Sequence, residues 1–298
     1  MKTPYFGRVL SAMITPFNPD GSVNLAATKA LVEWWLDHGS DGLVVTGSTG
    51  EAATMNAEEK QALWKTVVQQ VNGRVPVLAG TGSNNTAGSI EATQMADACG
   101  VDGFLVVGPY YNKPTAEGYY RHFKAIAACT EKPLMLYNVP GRTAANIAPA
   151  VIARVAKDCP NVVALKEAAG NVAQVAELYR ILPEDFSIYS GDDALILPFM
   201  SVGATGLVSV LSNIGGEILQ DLMQAYEEGR VKEAAQLNKR MVPLAQAMFI
   251  ETNPIPVKAA VTLVTGIDAG APRLPLTPMS DAALIKMKAV LREYGLVR

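Results

Sequence analysis

The chain has 298 residues, 49% of them hydrophobic and 18% charged, with a formal net charge of −3. That length suits one barrel-sized domain or two smaller ones, and the slightly acidic balance offers no basic face for nucleic acid or anionic lipid. Three cysteines without CxxC spacing and only two histidines leave a zinc centre or a Ser-His-Asp triad short of the residues each needs.

The N-terminal MKTPYFGRVLSAM has no long apolar core behind its basic start, so it does not read as a secretory signal. Cys99, Cys129 and Cys159 each fall near the end of a predicted helix and are expected to be reduced thiols in a cytoplasmic protein. Short apolar runs then recur along the chain at 9–17, 42–47, 75–82, 103–111, 133–140, 162–168, 186–193 and 206–213. Each is rich in β-branched residues and ends in Gly, Pro, Ser or Asn, as strands do. Amphipathic segments such as 24–39 and 56–73 separate them, with apolar residues at helical spacing. On that pattern His122 is expected on a helix surface. The charge-free stretch 194–216 is broken by Pro198, Gly203 and Gly206, which predicts a short helix and a buried strand, not a membrane span.

Eight strand–helix units with continuously apolar strands predict an α/β fold, a (β/α)8 TIM barrel over residues 1–230. A doubly wound sheet is the alternative, but no GxGxxG follows the first strand. Beyond residue 217 the pattern is purely helical, so residues 231–298 are expected to form a C-terminal helical region packed on the barrel.

In such barrels the reacting groups sit at the C-terminal ends of the strands. Those ends collect Ser48 and Thr49, Tyr110 and Tyr111, Tyr137, Arg142, Lys166, Gly191 to Asp193, and Ser209. In VVALKEA, alternation puts Lys166 on the face of Val162 and Ala164, pointing into the barrel. Burial there lowers an amine's pKa, and a neutral amine can attack a ketone to form a Schiff base. A structural lysine paired with an inward carboxylate is the competing reading. Lys258, in PIPVKAAV, is the other lysine in an apolar setting. With no histidine at the strand ends, Tyr137 on the neighbouring strand is the candidate proton shuttle, relayed through the hydroxyls of Ser48 and Tyr111. The GSTGE turn (47–51) reads either as a glycine turn at positive φ or as a cradle whose bare N–H groups hold an anion.

Six motifs occurring in order, GSTGE, GPYYNKP (108–114), LYNVPGRT (136–143), ALKEAAG (164–170), SGDD (190–193) and NPIPVKAA (253–260), together resemble the 4-hydroxy-tetrahydrodipicolinate (dihydrodipicolinate) synthase family, of the class I aldolase superfamily that includes N-acetylneuraminate lyase. The resemblance covers essentially the whole chain. It implies a metal-independent enzyme without cofactor, acting on pyruvate and aspartate semialdehyde in lysine and diaminopimelate biosynthesis. It implies that Lys166 forms the Schiff base, that Tyr137 is the general acid/base, and that Ser48 and Tyr111 complete the relay. Thr49 and Ser48 would hold the pyruvate carboxylate, Arg142 the carboxylate of the semialdehyde, and Gly191 and Val208 would line the site by their backbones. It further implies a homotetramer in which Tyr111 reaches a neighbouring subunit's site.

Two positions pull in different directions. The synthases commonly carry threonine where this chain has Ser48, a spelling frequent among sugar-acid lyases, whereas Arg142 is generally lacking in the lyases. A pyruvate-dependent aldolase of a 2-keto sugar acid or of N-acetylneuraminate is therefore the alternative activity. A non-catalytic keto-acid regulator would have no need of the relay. At the cleft that holds lysine in feedback-sensitive members, Asn84 and Tyr110 are kept. Ala52, Ala57, Lys60 and Gly88 replace a serine, two histidines and a glutamate.

Overall fold

A computed structural model describes residues 3–298. Eight parallel strands close a barrel in chain order: β1 (Val9–Ala12), β2 (Gly42–Val45), β3 (Val77–Gly80), β4 (Gly103–Val107), β5 (Leu134–Asn138), β6 (Val162–Glu167), β7 (Ser187–Ser190) and β8 (Gly206–Ser209). β8 returns to β1 through Leu207–Val9 and Val208–Leu10, which completes the ring. The expected (β/α)8 barrel with a C-terminal helical part is the observed fold. The strands are shorter than the apolar runs that announced them. Residues 9–17, for example, leave the ladder after Ala12, while Met13, Ile14 and Phe17 stay buried.

Strand alternation divides the apolar residues into two layers. An inner cluster fills the barrel with Leu10, Val44, Leu78, Leu105, Met135, Tyr189 and Val208, closed from below by Phe6. An outer and larger cluster lies between strands and helices, with Trp35, Trp64, Phe104, Phe123 and Phe199 among its members. Ala164 faces inward as alternation requires, but Val162 does not. The register between β5 and β6 shifts between Leu134 and Met135, so Val162 joins the outer layer and Val163 packs against the inner one.

The helices start on polar caps. Asn24, Asn56, Asn85, Thr115, Asn171 and Ser280 each accept a backbone N–H of the first turn, satisfying donors that a helix end otherwise leaves bare. The charge-free stretch contains a short helix, Ile196–Met200, and then β8. The helix Ala116–Ala127 corrects the expectation for His122, which is buried at 5% exposure. Its helix packs against both Thr86–Ala98 and Pro149–Asp158. Its Nδ1 meets Thr86 Oγ1 at 2.9 Å, and burial lowers its pKa to about 4. No helix among the described residues is long and apolar enough to cross a membrane.

The C-terminal helices Val231–Ala247, Ile255–Thr265 and Asp281–Glu293 lie against the barrel. Lys258 reaches from the second of them to Glu51, at the end of the 47–51 loop, with 2.8 Å between Nζ and Oε1. Arg273, after that helix, pairs with Glu59 and stacks over the Phe17 ring, which Lys258 also faces. The C-terminal region is thereby fastened to the loops around the mouth.

Candidate active site at the barrel mouth

A cavity of ≈ 580 Å³ opens at the C-terminal ends of the strands, lined by Ser48, Tyr110, Tyr137, Arg142, Lys60 and Gly88 among others. A smaller one of ≈ 390 Å³ lies at the opposite end, where β6 and β7 begin, lined by Tyr5, Lys157, Asp185 and Ser187. In barrels of this type chemistry belongs to the first face and stability to the second.

Lys166 is buried in the barrel below that mouth. Its Nζ lies 4.3 Å from the centroid of the Tyr137 ring, and the two residues are register partners on β5 and β6. Burial lowers the lysine pKa to about 8; the Asp193 carboxylate pulls it back up and the Arg142 guanidinium adds to the lowering. No carboxylate pairs directly with the amine among the described residues, so the structural reading of a lysine locked to an acid does not apply. Gly191 leaves room for this side chain, since a Cβ there would lie 3.1 Å from Lys166 Cε and 2.7 Å from Ala168 Cβ.

Tyr137 is equally enclosed. Burial raises its pKa to about 12, opposed by the Arg142 charge and by the Ser48 hydroxyl within hydrogen-bonding reach. Asp193 is a fully buried carboxylate that accepts from the Ser209 hydroxyl and from the backbone N–H groups of Val210 and Leu211, at 3.1 and 3.2 Å for the latter two. It fixes the turn after β8. Val208 lies in the inner cluster on that strand.

The 47–51 loop departs from the glycine-turn reading. Positive φ falls on Thr46 (56°) and Glu51 (55°), not on the glycines. Such conformations persist in non-glycine residues only where surroundings hold them. Thr46 is held by a hydrogen bond from Trp64 Nε1 at 2.9 Å, and Glu51 by Lys258. Gly50 serves close approach instead, because a Cβ there would crowd Met13 O at 3.2 Å and Thr15 Oγ1 at 3.3 Å. Between the two strained residues, the backbone N–H groups of Ser48 and Thr49 bond to nothing in the described chain. Adjacent bare N–H groups of this kind can hold an anion.

Thr49 itself is buried, and its Oγ1 accepts from Asn253 Nδ2 at 3.0 Å. Arg142 is exposed at the mouth and donates through Nη2 to the Asn253 carbonyl at 3.2 Å. Ser48, Thr49, Tyr137, Arg142, Lys166, Gly191 and Val208 thus gather at one end of the barrel. Tyr111 is not brought among them: it is 89% exposed, at φ 68°, and projects away from the chain. Two residues at this end were not singled out for a role there. The 47–51 motif included Glu51 without hinting at Lys258, and Asn253 opened the NPIPVKAA motif without any sign that it meets Thr49.

Comparison with known proteins agrees with this geometry. A model of the dihydrodipicolinate synthetase family matches residues 5–294. The chain is 50% identical over 297 residues to a 4-hydroxy-tetrahydrodipicolinate synthase of Desulforamulus reducens, covering 100% of both chains. It is 49% identical over 288 residues to the enzyme of that name from Bacillus subtilis, covering 97% of this chain and 99% of the relative. Among solved structures, the dihydrodipicolinate synthase of Cyanidioschyzon merolae with lysine bound superposes with a TM-score of 0.97 at 41% identity, over 99% of this chain and 100% of that one. A monomeric dihydrodipicolinate synthase variant superposes at 0.95 with 38% identity, over 98% of each chain.

Proposed function

Because the chain belongs to the dihydrodipicolinate synthetase family, we infer that it condenses pyruvate with L-aspartate 4-semialdehyde to give 4-hydroxy-tetrahydrodipicolinate, in the route to diaminopimelate and lysine. The observation that carries the mechanism is the buried Lys166 amine against the Tyr137 ring, with its pKa lowered to about 8. Lys166 Nζ attacks the ketone carbon of pyruvate, and loss of water gives an iminium that draws electrons from the neighbouring methyl carbon. Tyr137 moves the protons, with Ser48 as its hydroxyl partner. The methyl carbon, having lost a proton, attacks the aldehyde of the second substrate, and the substrate's own amine then displaces Lys166 and closes the ring.

The pyruvate carboxylate rests in the cradle of Ser48 and Thr49, and Arg142 takes the carboxylate of the semialdehyde, where a planar fork suits the geometry. Gly191 and Val208 line the pocket by their backbones. Support for Tyr111 as a donated relay residue is its exposure and its positive-φ backbone, which leave the ring free to meet a second copy. We place the barrel in residues 1–230 with the helical region 231–298 as its support, in a tetrameric assembly located in the cytoplasm. Sedimentation tests the assembly, and a stable, fully active monomer would remove Tyr111 from the relay.

Borohydride treatment with pyruvate should leave a mass adduct on Lys166, and the purified protein should condense the semialdehyde faster than it cleaves N-acetylneuraminate or a 2-keto sugar acid. Absence of the adduct ends the Schiff-base mechanism. Faster cleavage of the sugar acid would transfer the protein to the lyases, the activity that the Ser48 spelling favours.

A further inference from the structure

We propose that Asn253 is a positioning residue that sets the hydroxyl of Thr49 as a hydrogen-bond donor toward the keto acid while anchoring Arg142 by one nitrogen.

Asn253 is 5% exposed, and its Nδ2 donates to Thr49 Oγ1 at 3.0 Å. A hydroxyl that accepts one such bond keeps its own hydrogen free to donate. Among the described residues Thr49 makes no other side-chain hydrogen bond, and the adjacent N–H groups are also bare, so the freed hydrogen adds a third donor to the cradle. On the other side, the Asn253 carbonyl accepts from Arg142 Nη2 at 3.2 Å. A guanidinium has five N–H donors in a planar fork, so most of it stays available for a carboxylate.

Asn253 Oδ1 is buried and has no partner among the described residues. The segment around it is held independently by Lys258, five residues on, through Glu51 of the same loop. One residue of the C-terminal region therefore touches both groups that flank the nucleophile's mouth, by its side chain on the pyruvate side and by its backbone on the semialdehyde side. The inference rests on the reading of Lys166 as nucleophile and Thr49 as carboxylate anchor.

The test is the pyruvate concentration that half-saturates borohydride trapping on Lys166. Asn253→Ala removes the amide donor and keeps the backbone carbonyl. It should raise that concentration about tenfold, the size of one hydrogen bond to a charged group, and leave the KM for the semialdehyde unchanged. Asn253→Asp offers Thr49 only an acceptor, captures its hydrogen, and should weaken pyruvate further than the alanine does. The double variant Asn253→Ala/Thr49→Val should bind pyruvate as Thr49→Val alone does, because the amide acts through that hydroxyl. Unchanged trapping in Asn253→Ala, additive losses in the double variant, or pyruvate binding by Asn253→Asp as good as by Asn253→Ala would each overturn the proposal. Should Asn253→Ala fail to fold, the aspartate variant still decides. Trapping in the native protein with no Asn253 effect rejects this inference alone, whereas no trapping at all rejects the Schiff-base mechanism and this inference with it.

Discussion

Lys258 Nζ donates to Glu51 Oε1 at 2.8 Å, and neither side chain is more than 2% exposed. The pair is a buried cross-link between the C-terminal helix Ile255–Thr265 and the strained end of the 47–51 loop, where Glu51 also accepts from Arg273 N at 2.9 Å. Removing one member of such a pair leaves an uncompensated buried charge and destabilises by about 3–5 kcal/mol. Glu51→Gln should therefore lower the melting temperature by several degrees and impair pyruvate trapping together, as the cradle loses its hold. An unchanged melting curve would show that the loop is fixed by other contacts. The same bond keeps the Lys258 amine engaged with a carboxylate, whereas the Lys166 amine has no such partner among the described residues.

The lowered pKa of Lys166 makes two linked expectations. Adduct formation with pyruvate should rise about tenfold per pH unit below 8 and level above it, because only the neutral amine attacks. For stability the sign is the reverse of a salt-bridged lysine. Below pH 8 the amine is charged in both states and the folded state bears the full desolvation penalty. Between 8 and the unfolded value of 10.5 the folded state sheds its proton first, so the penalty fades as pH rises. A shift of this size corresponds to ~3 kcal/mol. Lys166→Met should abolish the adduct and raise the urea midpoint at neutral pH. A variant that is less stable than the native protein at pH 7 would contradict the buried-charge account.

Tyr137→Phe removes one oxygen from a fully enclosed ring. Burial holds the phenol's pKa near 12, so it is protonated at rest. Turnover should fall by ~10²–10⁴, the range for a lost general acid–base group. Trapping of pyruvate on Lys166 should be slowed but should still reach completion. Turnover within a factor of a few of the native value would move the proton transfer to another group.

Arg142→Ala should raise the KM for aspartate semialdehyde far more than that for pyruvate, since the guanidinium lies at the mouth and the cradle is separate. The loss of a charge-assisted pair corresponds to roughly 1.5–3 kcal/mol. Equal effects on both substrates in steady-state kinetics would place Arg142 on the pyruvate side instead.

The barrel was readable in the sequence because each buried strand needs its own apolar run and each run must end in turn residues, a local requirement repeated eight times. The strand-end residues were readable for the same reason, since fold class alone places them at one mouth. Contacts set by tertiary closure were not. Glu51 and Lys258 are far apart in sequence, and nothing in GSTGE distinguishes a carboxylate that fixes a strained loop from one that caps a helix. Val162 fell on the wrong face because a register shift between β5 and β6 breaks alternation, and no residue type announces it. His122 looked exposed because amphipathic spacing reveals one buried face, whereas this helix packs against two neighbouring helices.

The last prediction concerns feedback by lysine, and it turns on Lys60 and Gly88. Both line the same cavity as Tyr110, Tyr137 and Arg142. The residues around that cavity include no aspartate or glutamate, and Lys60 forms no ion pair among the described residues. Burial holds its pKa below the ordinary lysine value. In the lysine-responsive enzymes that this chain resembles, a glutamate at the Gly88 position receives the inhibitor's ammonium group. Its absence removes a charge-assisted hydrogen bond of roughly 1.5–3 kcal/mol, which weakens binding about ten- to a hundredfold, and Lys60 adds repulsion on top. Lysine at millimolar concentration should therefore leave the rate of condensation essentially unchanged in a coupled assay. Gly88→Glu combined with Lys60→His should restore measurable inhibition. Half-inhibition of the native protein below the millimolar range would mean that the cleft holds the ammonium group through hydroxyls and carbonyls alone.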